Sequence, residues 1–493
     1  MKRNSLVSPW WTLSVLCLSL LVIGLDNTIL NVALPTLQRD LTASSSQLQW
    51  IVDVYLLVFA GVLLTAGSLG DRFGRKRALT FGLVVFGAGS LGAALASSPG
   101  LLIAMRALMG VGGAFIMPST LSILTDTFPP DQRAKAIGIW AGFSGVGIAI
   151  GPVAGGWLIE HADWSWIFLV NLPVVALALI AGRFLVPESR DPAAPPLDLR
   201  GFGLSFVALS VLVWGLIEAP GRGWTAALVL AAFAFAALTL VAFVAWERRA
   251  PAPMLELKLF RNPRFSASSA AISLAFFALF GVVFLLTQYL QGVLGYSALE
   301  AGVRTLPVAA GLILGGPLSA KATERLGLRA VVPAGLAVVA AALALLTLAD
   351  AGSGYGLIAA VLVLLGFGIA TAMAPATDAI MGSLPEAKTS VGSAINDTTR
   401  VTGGALGVAV LGSLLASGYR GDMVSAPAVA QDSLSAALTL GDARVAGLAR
   451  EAFVAGMHTA ALVAAAVALA GALVAAVFVP SGERVRAREV ATA

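Results

Sequence analysis

The sequence predicts an all-α polytopic membrane protein with fourteen spans. Composition is the first reason: 58% of the 493 residues are hydrophobic and 12% are charged, against about half and about a quarter in soluble domains. Mean hydropathy is +0.91, more apolar surface than a water-soluble core absorbs. Segmentation is the second, because apolar stretches of roughly 20 residues, the length that crosses a bilayer, recur along the whole chain. Charge placement is the third. With fourteen spans, 23 of the 31 lysines and arginines fall on the side of the chain ends and 6 on the other, with Arg106 and Arg400 inside spans. By the positive-inside rule the termini are cytoplasmic.

The first six spans lie at about 11–34, 49–69, 78–97, 100–124, 134–160 and 165–186, and two more at about 199–219 and 224–246. The last six lie at about 265–290, 299–320, 330–349, 355–379, 389–417 and 451–479. Residues 1–190 are expected to form one six-helix bundle, 191–250 an additional pair of spans and 251–264 a cytoplasmic linker. Residues 265–480 make a second bundle and 481–493 a cytoplasmic tail. The first apolar segment is too long for a signal-peptide core and no small-residue cleavage site follows, so it reads as an uncleaved span.

Asp26, in Leu25–Pro35, is the most telling charge. It sits about 15 residues, or roughly 22 Å, into the first span. A carboxylate at that depth costs about 2.5–3.5 kcal/mol on insertion scales and needs a cavity or a partner. Asp53 lies near the outer end of span two and reads as interfacial, yet stays a candidate. Between spans two and three the turn Gly67–Arg77 carries Asp71, Arg72, Gly74, Arg75, Lys76 and Arg77. Asp126, at the inner end of span four, is placed to reach Arg75. Arg106 in span four has no acid on its own helix at matching spacing, and Asp26 is the obvious acid in the same half.

Span five contains Gly147–Gly156, with Pro152 inside it. A glycine in a water-exposed helix costs about 1 kcal/mol and an internal proline about 3 kcal/mol, but neighbouring helices in lipid re-satisfy the freed groups. Gly147, Gly151 and Gly155 fall on one face and admit a close backbone neighbour; Gly156 adjoins them. The expected role is a bendable contact between the two halves.

Pro187–Arg200 is proline-broken, and Glu247–Arg264 is charged, with an amphipathic Met254–Phe260 expected along the membrane surface. A second turn, Gly316–Arg329, repeats the first at the matching place in the other half, which supports a two-halved body with substrate bound between the halves. In span thirteen, Asp397 and Arg400 share a helical face at i, i+3 and are spaced to pair. The outer segment Gly418–Arg450 allows a short surface helix.

Cys17 is the single cysteine, and His161 and His458 are the two histidines, neither with a second histidine at ligand spacing. No disulfide, metal site or cofactor is expected. No nucleic-acid surface is expected either, since the basic residues are dispersed in short loops. A membrane enzyme would need a nucleophile or paired acids near an interface, and none is evident beside Glu160 and His161. A sensor would need a soluble reporting domain.

Taken together, these segments resemble the major facilitator superfamily, specifically its fourteen-helix drug:proton antiporters of the EmrB/QacA type, over nearly the whole chain. Gly67–Arg77 looks like that family's cytoplasmic loop, and Arg106–Gly113 is similar to its span-four motif, whose arginine is assigned to proton transfer. Gly147–Gly156 looks like the antiporter motif of exporters. Leu25–Pro35 resembles the first-span signature, and Asp397 falls where relatives carry an acid tied to cationic substrates. The resemblance implies two six-helix bundles with spans seven and eight inserted between them.

It further implies proton-coupled export of lipophilic, cationic drugs or antiseptics by alternating access, driven by the proton gradient. Asp26, Asp53, Arg106, Asp397 and Arg400 would serve proton and substrate. The expected setting is a monomer in a bacterial cytoplasmic membrane. The alternative is a dedicated exporter of one metabolite: a self-made antibiotic, a lipid or a siderophore. Two departures stand out. Span ten has only Glu300 and Arg304 near its outer edge, which argues against divalent cations. The second-half loop has only Glu324 and Arg325 in place of the full cluster.

Overall fold

A computed structural model of the chain describes residues 8–191, 196–383 and 389–479. Lys2, Arg3, Lys388, Arg484, Arg486, Arg488 and the tail 481–493 lie outside the described residues. Fourteen helices among the described residues are long and apolar enough to span a membrane. They are α1 (Pro9–Asp40), α2 (Ser45–Phe73), α3 (Arg75–Ala94), α4 (Pro99–Thr127), α5 (Asp131–His161), α6 (Trp166–Leu185) and α7 (Leu199–Arg222). The rest are α8 (Ala227–Glu247), α9 (Pro263–Val293), α10 (Ala298–Leu326), α11 (Leu328–Leu346), α12 (Tyr355–Met381), α13 (Ala394–Asp422) and α14 (Ala443–Phe478). Below, the face where α1 begins and α14 ends is the near face, and the opposite one is the far face.

Local chemistry sets several boundaries. Ser44 and Gln47 form a capping box at the start of α2, and Ser297 and Glu300 form one at the start of α10, each satisfying two orphan helical donors. The Asp442 carboxylate accepts from Arg444 N and Val445 N and starts α14. Gly74 and Gly327 link α2 to α3 and α10 to α11, with φ of 121° and 76°, a region open to glycine and strained for other residues. The same device thus closes the matching turn in each half.

Helices run longer than expected where caps lie beyond the apolar core. α1 continues through Pro35 to Asp40, and α13 and α14 absorb the ends of the 418–450 segment. Its middle holds two short helices, Ala428–Asp432 and Leu434–Thr439, in keeping with the expected surface helix. Met254–Phe260 departs from expectation. It folds as turns ahead of a short 3₁₀ segment, Leu259–Arg261, and points Met254 and Leu255 inward between helices.

Packing repeats across the chain. α1 lies along α5 as α9 lies along α13, α2 along α4 as α10 along α12, and α3 along α4 as α11 along α12. The two sets meet along two seams, α2 with α13 and α5 with α10. α7 and α8 pair with each other, and α7 packs on both α2 and α13, so the additional pair covers one seam. The other seam shows apolar side chains outward, including Ile150 and Trp157 of α5 and Ile313 and Leu314 of α10.

Candidate functional site

The centre of the molecule is organised around one buried cation. Arg106 of α4 is 2% exposed and its Nη1 lies 2.6 Å from Asp26 Oδ2 of α1, which is fully buried. Its Nε donates to the Ile51 carbonyl of α2 at 3.1 Å, and its guanidinium stacks over the Tyr55 ring at 4.3 Å. One side chain thereby joins three helices. Glycines make room for it: a Cβ on Gly110 would lie 2.7 Å from the Tyr55 carbonyl, and one on Gly113 2.7 Å from the Phe59 ring. The partner expected for Arg106 is the partner found.

Tyr55 separates this pair from a narrow central pocket of about 50 Å³, to which both halves contribute. Asn27, Tyr55 and Phe59 line it from the first half, and Phe276, Phe280, Asp397 and Arg400 from the second. Asp397 and Arg400 pair at 3.5 Å, with side chains 10% and 28% exposed, and Arg400 lies over the Phe276 ring at 4.6 Å. The pocket thus brings an acid, its paired guanidinium and four aromatic side chains together. Asp26 itself does not line the pocket. The Tyr55 hydroxyl, Asn27 Oδ1 and the second Asp26 oxygen are buried without hydrogen-bond partners. All three are polar groups beside or behind the pocket.

Asp53 is not interfacial, contrary to expectation. It is fully buried and neither carboxylate oxygen has a hydrogen-bond partner. Its helical neighbours at one-turn spacing explain why. Gln49 reaches Gly412 of α13, and Leu57 packs with Ala409 of α13 and Val213 of α7, so this face of α2 is sealed by the opposite half.

The glycine face of α5 also corrects the reading from sequence. A Cβ on Gly147 would lie 2.9 Å from the Leu21 carbonyl, on Gly151 3.0 Å from the Leu25 carbonyl, and on Gly155 2.8 Å from the Ile29 carbonyl. The face is pressed against α1 of its own half rather than the other half. Pro152 leaves the Ile148 carbonyl without a helical donor, and the Thr28 hydroxyl of α1 donates to it at 3.1 Å. Among the described residues, the close contacts of α5 with the second half lie in its last turns. A Cβ on Gly156 would lie 2.5 Å from Leu299 Cα, Gly302 abuts Pro152, and Leu299 N donates to the Glu160 carboxylate at 2.9 Å. Nearer the start of α5, Gly138, Gly142 and Gly145 face open space. The two halves therefore close on each other at the far end of this seam.

At the near face, Arg75 bonds Asp71 at 2.7 Å and also pairs with Asp126, as expected. Glu188, which drew no attention in the sequence, pins the same turn. It accepts from Lys76 N at 3.1 Å, lies 3.7 Å from Arg77, and would sit 2.7 Å from a Cβ on Gly74. A Cβ on Gly67 would make ordinary contact with Pro118 of α4, at 3.5 Å. Arg72 is apart from the network: it is exposed and lies over Phe73. In the matching turn of the second half, Arg329 donates to the Ala476 carbonyl of α14.

Comparison with known proteins agrees with this architecture. The sequence profile of the Major Facilitator Superfamily matches residues 16–408. The chain is 38% identical over 480 residues, 94% of its length and 95% of the relative's, to the multidrug efflux pump LfrA of Mycolicibacterium smegmatis. It is 38% identical over 410 residues, 83% of this chain and 76% of the relative, to the tetracenomycin C resistance and export protein of Streptomyces glaucescens. It is 34% identical over 436 residues, 88% of each, to the methyl viologen resistance protein SmvA of Salmonella typhimurium. Among solved structures, a bacterial homologue of the human lysosomal transporter Spinster, inward-facing and unoccupied, superposes with a TM-score of 0.69 at 19% identity, covering 96% of this chain and 98% of that one. This fourteen-helix chain belongs to the Major Facilitator Superfamily, a family of transporters whose relatives here include drug- and antibiotic-resistance efflux proteins.

Proposed function

We propose that the protein exports lipophilic, cationic compounds across a bacterial cytoplasmic membrane in exchange for protons. The observation that carries this is a buried acid in the pocket with a second buried acid close behind its wall. Asp397 lines it beside aromatic rings, and Asp26 lies one ring behind it, neutralised by Arg106. The abundance of basic residues on the near face makes that face cytoplasmic. With the halves in contact at the far end, the described conformation is the one that loads from the cytoplasm. Residues 1–190 and 265–480 are the two rocking bundles, and the transporter works as a monomer.

Coupling follows from competition for charge. A protonated Asp397 offers a cation nothing to pair with, whereas an ionised one can exchange its pairing with Arg400 for the substrate. In this conformation Asp26 is paired with Arg106. Separation of α1 from α4 removes that counter-charge and lets Asp26 take a proton. At 100 mV each net charge moved adds about 2.3 kcal/mol, so the proton-to-cation ratio sets how far the gradient drives export. Asp71, Arg75 and Asp126 hold the near ends of α2, α3 and α4 together while the halves rock.

The test is a drug-susceptibility panel on cells expressing the protein, with and without a protonophore, joined to proton release from everted vesicles. Resistance lost with the protonophore, and release abolished by Asp26→Asn and Asp397→Asn, are the expected results. Substrate-independent proton flux, or export unimpaired in both variants, overturns the reading. The relative that exports tetracenomycin C supports a second reading, a dedicated antibiotic exporter. Resistance confined to one compound class would favour it.

A further inference from the structure

The additional pair α7–α8 does more than lie against the α2–α13 seam. Toward the far face the seam is tight, as Gln49 meets Gly412 and Leu57 meets Ala409. Toward the near face it parts, and a cavity of about 580 Å³ opens between α2, α7, α8, α9 and α13. Gly61 and Leu64 of α2, Leu212 of α7, Leu240 of α8 and Thr398 of α13 form its walls, and Met254 of the linker helps to floor it. No lining residue is charged. Of the lining hydroxyls, those of Ser205 and Thr399 are bonded to carbonyls of their own helices. The wall is hydrocarbon for most of its extent, in a size range that suits a small apolar ligand.

The linker that helps to line it has the opposite character. Arg248, Arg249, Lys258 and Arg261 stand on the linker whose Met254, Leu255 and Phe260 enter the cavity. All four are exposed, and they outnumber the two acids of the same stretch, Glu247 and Glu256. A greasy slot beside a net-basic, exposed linker matches one amphiphile: hydrocarbon chain in the slot, phosphate on the linker. Basic pockets between spans on one membrane face bind anionic headgroups in this manner. A lipophilic cation fits poorly, because the same basic linker repels it.

We propose that this cavity binds an acyl chain of an anionic phospholipid from the near-face leaflet, its phosphate held by Arg248, Arg249, Lys258 and Arg261. The chain fills the parted end of the α2–α13 seam, and α7 and α8 are the wall that retains it. The assignment does not depend on what the protein transports.

The test uses the full chain, purified and delipidated in a neutral detergent, then titrated with phosphatidylglycerol or phosphatidylcholine of equal chain length and read by native mass spectrometry. One retained phosphatidylglycerol, preferred over phosphatidylcholine, is expected. The triple variant R249Q/K258Q/R261Q changes exposed side chains only, and should lower that preference roughly tenfold or more while still holding a chain. Ala237→Trp, at an exposed position on the cavity wall, should reduce retention of both lipids. Equal binding of the two lipids by the unaltered protein would overturn the proposal, as would an unchanged preference in the triple variant. Displacement of the lipid by tetraphenylphosphonium would assign the cavity to cation passage instead.

Discussion

The Thr28 hydroxyl in α1 and the Ile148 carbonyl in α5 form a hydrogen bond of 3.1 Å, between two helices of the first half that lie along each other. The bond exists because Pro152 cannot donate to residue 148. Replacing Thr28 by Val leaves a buried carbonyl unsatisfied, at about 1–3 kcal/mol, whereas Ser retains the donor. Thermal unfolding of the purified protein should place Thr28→Val well below Thr28→Ser. In a Pro152→Ala background, where the helix supplies its own donor, the Val substitution should lose most of its effect.

The Asp26–Arg106 pair is buried on both sides, and removing one partner leaves an uncompensated charge. Such a change destabilises by about 3–5 kcal/mol. Arg106→Met alone should therefore melt far lower than the unaltered protein, while Asp26→Leu combined with Arg106→Met should recover much of the loss and transport nothing. A double variant no more stable than the singles would show that the pair is not the dominant contact.

Two glycines of α5, a few turns apart, should respond in opposite ways. At Gly155 a Cβ would lie 2.8 Å from the Ile29 carbonyl, while at Gly142 it would meet nothing within 4 Å. Gly155→Ala should lose about 1–3 kcal/mol from overpacking, and Gly142→Ala should lose nothing, since alanine is the better helix former. Melting temperatures of the two variants, measured side by side, check the contrast.

Asp53 is a buried acid without a hydrogen-bond partner, a costly arrangement for a charge. Asp53→Asn keeps the shape and removes the charge, so stability should hold or rise. Substrate-driven proton release from everted vesicles should fall if the α2–α13 seam takes part in coupling. A destabilised Asn variant would mean that the carboxylate is satisfied in the working protein.

How far these features were legible depends on whether the decisive neighbour was local. Span number follows from apolar length alone. The Arg106–Asp26 pair followed from scarcity, because a lone cation in an apolar half has few acids to choose from. Asp53 was misplaced because its burial comes from α13, hundreds of residues away, and no local pattern carries that. The glycine face of α5 announced a close neighbour but not which one; small residues specify distance, not identity. Thr28 gave no signal at all, since a helical threonine ordinarily bonds a carbonyl of its own helix. Glu188 was hidden for a related reason, being an ordinary charge in a proline-rich segment until the fold set it against Gly74.

The covering of one seam by α7 and α8 gives a duplicated body a front and a back. A molecule dissolved in the bilayer meets a protein wall along α2 and α13, but bare helix along α5 and α10. Internal symmetry makes the two edges alike in construction, and the added pair makes them unlike in surroundings. Rocking of the bundles, as proposed above, would thus work against protein on one edge and against fluid lipid on the other.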